Sequence, residues 1–416
     1  MRKKLPFLAT TTSALCLGLY VTANSFGALP DWRPSLVGAA QAQTSCVFPP
    51  SGQPGGLRCD ADYLREVRID KNLGAAGVTN SINVAIGNLF QAETDYTGGG
   101  PVKLTIARYY NSVDAGKAGA LGPNWRGSYS RAIGFSEERV AKVMRDDGRV
   151  FVFTRGEGEG RGGEGEGRGE RGAWRAEADV NYRLTQTRTG WSLVTDQDET
   201  ENYDASGKLV SYANRAGVTL TLAYDSKGRL AKVADSYGRT LSYGYVSSSS
   251  PLVAQVTAPD GTVYGYAYDA KGRFATLTYP DGGKRQYVYE NASFPTALTG
   301  TISQSGIRKA TYAYDAQGRA TSSVGALGAN AFSADYTFQA RGVVTRINAM
   351  GGKAAFLFEG INGTAKLIQT YDVTRNAFAT NVYDANGNVV KKTDFGGSVT
   401  ISRYNLRNLL VEQTTG

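Results

Sequence analysis

Carboxylates at a fixed spacing are the residues of this sequence that could do chemistry. Asp225, Asp269 and Asp315 each follow a tyrosine, and Arg229, Arg273 and Arg319 stand four residues further on. Paired carboxylates can work as acid and base on a glycosidic bond. Catalytic residues, however, are singular, and these are periodic. Asp followed three residues later by Gly is a turn signature in which the carboxylate caps its own backbone and Gly takes the left-handed conformation. The chain has no histidine, which removes Ser-His and Cys-His activation and histidine-containing metal sites. Its glycines belong to turns, and no phosphate- or dinucleotide-type loop joins a strand to a helix. The reading is that it is not an enzyme, with no catalytic, cofactor-binding or metal-ligating residue to single out and no cofactor.

The turns must be positioned by a repeat. Clear copies are Tyr224-Asp225-Ser226-Lys227-Gly228-Arg229, Tyr268-Asp269-Ala270-Lys271-Gly272-Arg273 and Tyr314-Asp315-Ala316-Gln317-Gly318-Arg319. Looser copies sit at Tyr203-Asp204, Phe338-Gln339, Tyr383-Asp384 and Tyr404-Asn405, with aromatic positions also at 245, 289 and 358. A second turn falls near the middle of most periods, as at Asn214–Gly217, Asp235–Gly238, Pro259-Asp260-Gly261, Pro280-Asp281-Gly282 and Asp394–Gly397. Each period therefore supplies two short strands joined by a hairpin with a Gly bulge. Val218, Leu220, Leu222 and Tyr224 alternate with polar or small residues, as do Leu241, Tyr243 and Tyr245, so each set shares one sheet face. Of the 25 tyrosines, 18 lie at or after Tyr203, which assigns the aromatic content to the repeats. Two readings of this tyrosine ladder stand: cross-strand packing, with the hydroxyls reaching water or a turn, and an aromatic surface for sugars or partners. Stacked hairpins bury what one cannot. The expected fold is all-β, a hairpin array forming part of a curved, shell-like sheet and preceded by a small β-rich domain.

Tyr-Asp-x-x-Gly-Arg at this period resembles the YD repeats of the RHS (rearrangement hot spot) family, relatives of the teneurin and toxin-complex shells. Ile82-Asn83-Val84-Ala85-Ile86-Gly87-Asn88, Arg108-Tyr109-Tyr110-Asn111-Ser112 and Leu121-Gly122-Pro123-Asn124-Trp125-Arg126 resemble the domain that precedes those repeats in bacteria. The resemblance implies a β-shell enclosing a C-terminal toxin in exported effectors of interbacterial competition, or a surface adhesion protein. Family effectors are longer and end in a core plug with an Asp-Pro cleavage motif and a toxin. No Asp-Pro dipeptide occurs here, and the expectation is a chain truncated before the plug and toxin.

In chain order, residues 1–42 read as an export signal: basic Arg2, Lys3 and Lys4, an apolar stretch, and Ala40-Gln41-Ala42 as a cleavage site. An uncleaved anchor is the alternative. Residues 43–81 read as a linker in which Cys46 and Cys59 are candidates for one disulfide, two thiols alone leaving zinc short of its usual four ligands. Residues 82–154 read as the β-rich domain, with a turn at Asp146-Asp147-Gly148-Arg149 and with Trp125, Tyr109 and Tyr110 in core or interface packing. Residues 155–172 hold nine Gly, five Glu and four Arg, a solvated low-complexity loop whose net charge of −1 does not suit phosphate. Residues 173–416 are the repeats. The overall charge of 46 − 37 = +9 is spread among turn residues rather than gathered in a stripe, so no specific nucleic acid is expected.

The reading that joins these is an exported structural shell or scaffold protein, secreted or in the cell envelope, with no membrane span in the mature chain. Its expected partner is a toxin or remaining shell segment encoded separately. The alternatives are a cell-surface carbohydrate-binding or adhesion module with glycan partners, and a truncated fragment without function.

Overall fold

A tyrosine-aspartate turn recurs along the chain as one local geometry. Gly228 takes φ +74° and donates its N–H to the Asp225 carbonyl at 2.9 Å, while Asp225 Oδ1 accepts from the Lys227 and Arg229 N–H groups at 2.9 Å each. The same bonds recur at Asp269 and Asp315. A bulge beside each motif tyrosine, as between Ala223 and Tyr224, accommodates the extra turn residue.

The computed structural model describes residues 46–47, 58–59, 82–114, 118–155, 173–362 and 364–416. The expected export signal, most of the 43–81 linker and nearly all of the Gly/Glu/Arg-rich stretch lie outside the described residues. Two short strands, Cys46–Val47 and Arg58–Cys59, pair antiparallel with Cys46 opposite Cys59 in backbone register.

The repeats build a 22-stranded antiparallel sheet running from Arg183–Gln186 to Leu410–Thr415, each strand bonded to its sequence neighbours. Among the described residues there is no α-helix, only 3-10 turns at Ala326–Gly328 and Gln339–Arg341. The fold is all-β. Period-two burial holds along the strands: Leu220 and Leu222 are buried in Thr219–Tyr224, Tyr264 and Tyr266 in Val263–Tyr268, with Thr221, Ala223, Val263 and Ala267 exposed on the other face. Each such leucine removed from water contributes about 1.5–3 kcal/mol. The sheet curls until its last turn meets the loops flanking its first two strands, where Asn408 Nδ2 donates to the Ala178 carbonyl at 2.9 Å and Arg407 pairs with Asp198 at 3.2 Å.

One repeat position is corrected. Tyr336, not Phe338, occupies the ladder: Tyr336 is buried at 6% exposure and Phe338 is 43% exposed. Asp335 sets this turn by accepting from Thr337, and Gln339 is drawn into the Gln339–Arg341 turn.

Two smaller sheets precede or flank the array. One orders Ile82–Asn83, Asn88–Thr97, Thr105–Asn111 and Trp125–Gly127; the other orders Trp174–Ala176, Val150–Arg155, Val140–Met144 and Ala132–Glu137. The turn at Arg145–Arg149 closes the hairpin of Val140–Met144 and Val150–Arg155. Ile82, Leu89, Leu104 and Trp125 share one hydrophobic core with Leu220, Leu241 and Phe274 of the array.

Candidate functional site

The motif side chains form a ladder. Arg229 closes on its own Asp225 through Nε at 2.7 Å, and its guanidinium lies 4.1 Å over the Tyr245 ring. Tyr245 donates its hydroxyl to the Leu230 carbonyl at 2.8 Å. The rung repeats as Asp269, Arg273 and Tyr289, and as Asp315, Arg319 and Tyr336, with the hydroxyls on the Phe274 and Ala320 carbonyls. Tyr224, Tyr268, Tyr314, Tyr383 and Tyr404 make the same hydroxyl-to-carbonyl bond. The Arg229 backbone N–H and guanidinium hold Asp225 below the usual carboxylate range, and burial pushes the Tyr224 and Tyr245 phenols up to about 12. At neutral pH Asp225 stays ionised and the Tyr224 and Tyr245 phenols stay protonated, so neither kind of group exchanges protons readily.

Over the middle of the array the tyrosine face is covered by strands that precede the repeats. Arg108 is fully buried: its guanidinium meets Asp95 at 2.6 Å, Glu93 at 2.7 Å and the Tyr287 hydroxyl oxygen at 2.7 Å. It also lies 5.1–5.6 Å from the Phe274, Tyr287 and Trp125 ring centres. Tyr287 in turn donates to Glu93, which also pairs with Arg285 at 2.6 Å. Burial opposes the Arg108 charge, and Tyr287, Asp95 and Glu93 outweigh it, so its pKa lies well above the usual value. Trp125 donates its indole N–H to Tyr289 at 2.8 Å, Gln91 donates to Tyr312, and Tyr110 bonds Thr296 and Leu298. Backbone bonds fix the docking: Ala320 N–H to the Gly87 carbonyl and Val253 N–H to the Ala120 carbonyl.

A second charged knot ties the other small sheet to the start of the array. Glu201, fully buried, accepts from Arg131 at 2.5 Å, from Arg145 at 2.6 and 2.8 Å, and from the Tyr203 hydroxyl. Burial would raise its pKa, but Arg145 and Arg131 outweigh that and lower it. Breaking a buried pair of this kind from one side is costly even where the intact pair adds little net stability.

Asp225, Asp269 and Asp315 thus stand on separate turns, each closed on its own arginine, and are not brought together. No group of three or more Asp, Glu, Cys or His side chains among the described residues could hold a metal ion. Sequence reasoning missed Glu93, Asp95, Arg145 and Glu201 altogether. Arg108 and Trp125 were marked by the motifs around them, but nothing local showed that Arg108 is buried.

These features define an all-β shell of hairpin repeats in which the recurrent side chains serve the sheet and a preceding β-rich segment fills its aromatic face. A family model for a domain of unknown function (DUF6531) matches residues 79–153, and the teneurin YD-shell model matches 191–298. The chain is an RHS/YD-repeat protein. No curated protein matches it. Among solved structures it is similar to a TcdB2–TccC3–Cdc42 crystal structure (11% identity, TM-score 0.35), covering 86% of this chain and 23% of that one. It is also similar to the Photorhabdus luminescens Tc holotoxin pore with a TccC3 mutation (12%, TM-score 0.26, 81% and 19%). A porin-like protein from Bacteroides uniformis matches at 11% identity and TM-score 0.17, over 56% of this chain and 92% of that one. The chain thus spans about a quarter or less of the length of the toxin chains.

Proposed function

We propose that this protein is an exported structural component of a toxin-related shell, containing or delivering a partner rather than catalysing a reaction. The observation that carries this reading is the fate of the motif side chains: Asp caps a turn, Arg closes on Asp and stacks on the next tyrosine, and Tyr bonds the preceding strand. Nothing in the rung is left to act on a substrate. The partner is a toxin or further shell segment encoded separately. Export rests on the basic start, apolar run and Ala40-Gln41-Ala42. Among the described residues no helix is long and apolar enough to cross a membrane.

Expression of the full chain together with the reading frames flanking its gene tests the proposal. One of those products should co-purify with the chain and become resistant to added protease. Products that stay unbound and protease-sensitive would refute containment. N-terminal sequencing of material outside the cytoplasm should read from residue 43. A glycan module working through the middle of the ladder is disfavoured, because Arg108, Tyr110 and Trp125 occupy that face at Tyr287, Tyr289 and Leu298.

A further inference from the structure

Three large aromatic side chains outside the ladder gather at one place beside the start of the array. Phe135, Trp174 and Trp191 come from the strands Ala132–Glu137, Trp174–Ala176 and Gly190–Val194. Their ring centres lie 4.7 Å apart for Phe135 and Trp191, 5.5 Å for Trp174 and Trp191, and 6.3 Å for Phe135 and Trp174. They line an open cleft of about 460 Å³, within the roughly 300–1,000 Å³ of small-molecule sites. Glu138, Arg155 and Arg188 also line it; all three are exposed, and among the described residues none makes an ion pair. Phe135 keeps 43% of its surface in water.

The ring geometry selects the ligand. Centres this close mean rings packed on one another, so they present one wall and do not surround a cation as an aromatic cage does. Interplanar angles of 37°, 62° and 77° leave no pair of parallel faces to clamp a flat base. A pyranose, puckered and with C–H groups on one face, fits a tilted aromatic wall while its hydroxyls reach polar side chains. Two guanidiniums against one carboxylate favour a sugar that carries a carboxylate, since planar Arg forks match that group.

We propose that this cleft binds an acidic saccharide of uronic-acid type, with its ring against Phe135 and the partly exposed Trp174, backed by the buried Trp191, and its carboxylate at Arg188 and Arg155. This site is separate from the ladder and does not depend on the shell reading.

The full chain should be titrated with trigalacturonate and, separately, with neutral maltotriose, by tryptophan fluorescence and calorimetry. Trigalacturonate should bind saturably, change the tryptophan emission, and bind at least about tenfold tighter than maltotriose. Arg188→Glu and Phe135→Ala, both at exposed positions where folding can be checked by circular dichroism, should each weaken it by roughly tenfold. The proposal is overturned by absence of saturable binding, by equal affinity for maltotriose, or by affinity that folded samples of both variants leave unchanged.

Discussion

Arg229 lies 4.1 Å over the ring of Tyr245, and the residue beside it, Leu230, accepts that tyrosine's hydroxyl bond at 2.8 Å. Adjacent residues of one motif thus hold the tyrosine of the next from its face and from its tip. Each repeat is ordered by its predecessor, which is the nearest-neighbour coupling expected of a stacked array.

That coupling can be measured. Arg229→Ala should cost about 1 kcal/mol from the lost cation–π contact. Arg229→Lys should recover only part of it, because an ammonium neither stacks as a plane nor forks onto Asp225. Denaturant melts of the full chain check this. Equal stability of Arg229→Ala and the parent would mean that the stacking contributes nothing.

Arg108 should be far less tolerant. Removing it leaves Asp95 buried without its cation and Glu93 with Arg285 alone, and breaking a buried pair from one side costs about 3–5 kcal/mol. Arg108→Met is therefore expected to lower the unfolding midpoint sharply. The triple variant with Glu93→Gln and Asp95→Asn should regain part of the loss, since the uncompensated charges are gone. Failure of the triple variant to regain any stability would place the cost in packing against Trp125 and Phe274 instead.

The contrast between these two arginines marks what the sequence disclosed. Asp225, Gly228 and Arg229 are neighbours in sequence and make their bonds locally, so the hairpin, the bulge and the shared tyrosine face could be read from spacing. Arg108 meets Tyr287 across a sequence separation of 179, and no local pattern marks such a pair. The slip between Phe338 and Tyr336 has the same origin. Positions two apart in a strand share a face, so alternation allowed either. Gln339 is held by the Ala85 carbonyl across a separation of 254, a contact invisible in the repeat itself.

The buried phenols predict an alkaline limit. Burial raises Tyr224, Tyr245 and Tyr312 to about 12 in the fold, from 10.0 when unperturbed. The native state therefore holds protons that the unfolded chain releases first, so the contribution is complete below pH 10.0 and lost as pH rises to about 12. Stability should fall steeply across that window, with phenolate absorbance rising together with loss of the β-sheet signal. Phenolate formation that runs well ahead of unfolding would show that these hydroxyls are open to solvent. At the acid end the sign reverses: Glu201 has a lowered pKa, so its contribution is lost as pH falls below the ordinary carboxylate range.

Gly87 offers a test of the docking with its own internal reference. It has φ +70°, and a Cβ built there would sit 2.4 Å from Arg319 Cβ, while its carbonyl accepts the Ala320 N–H at 2.8 Å. Gly272 has nearly the same backbone, φ +72°, with nothing within 4 Å of a built Cβ. Alanine at Gly272 meets left-handed strain alone, about 1–2 kcal/mol. At Gly87 it meets that strain and also pushes the hairpin tip off Arg319, the residue that stacks on Tyr336. Gly87→Ala should therefore cost clearly more than Gly272→Ala in denaturant melts, and should increase protease cutting between the 82–127 segment and the repeats. Equal costs would mean that the tip does not press on the array, and that Arg108 and Trp125 hold the docking without it.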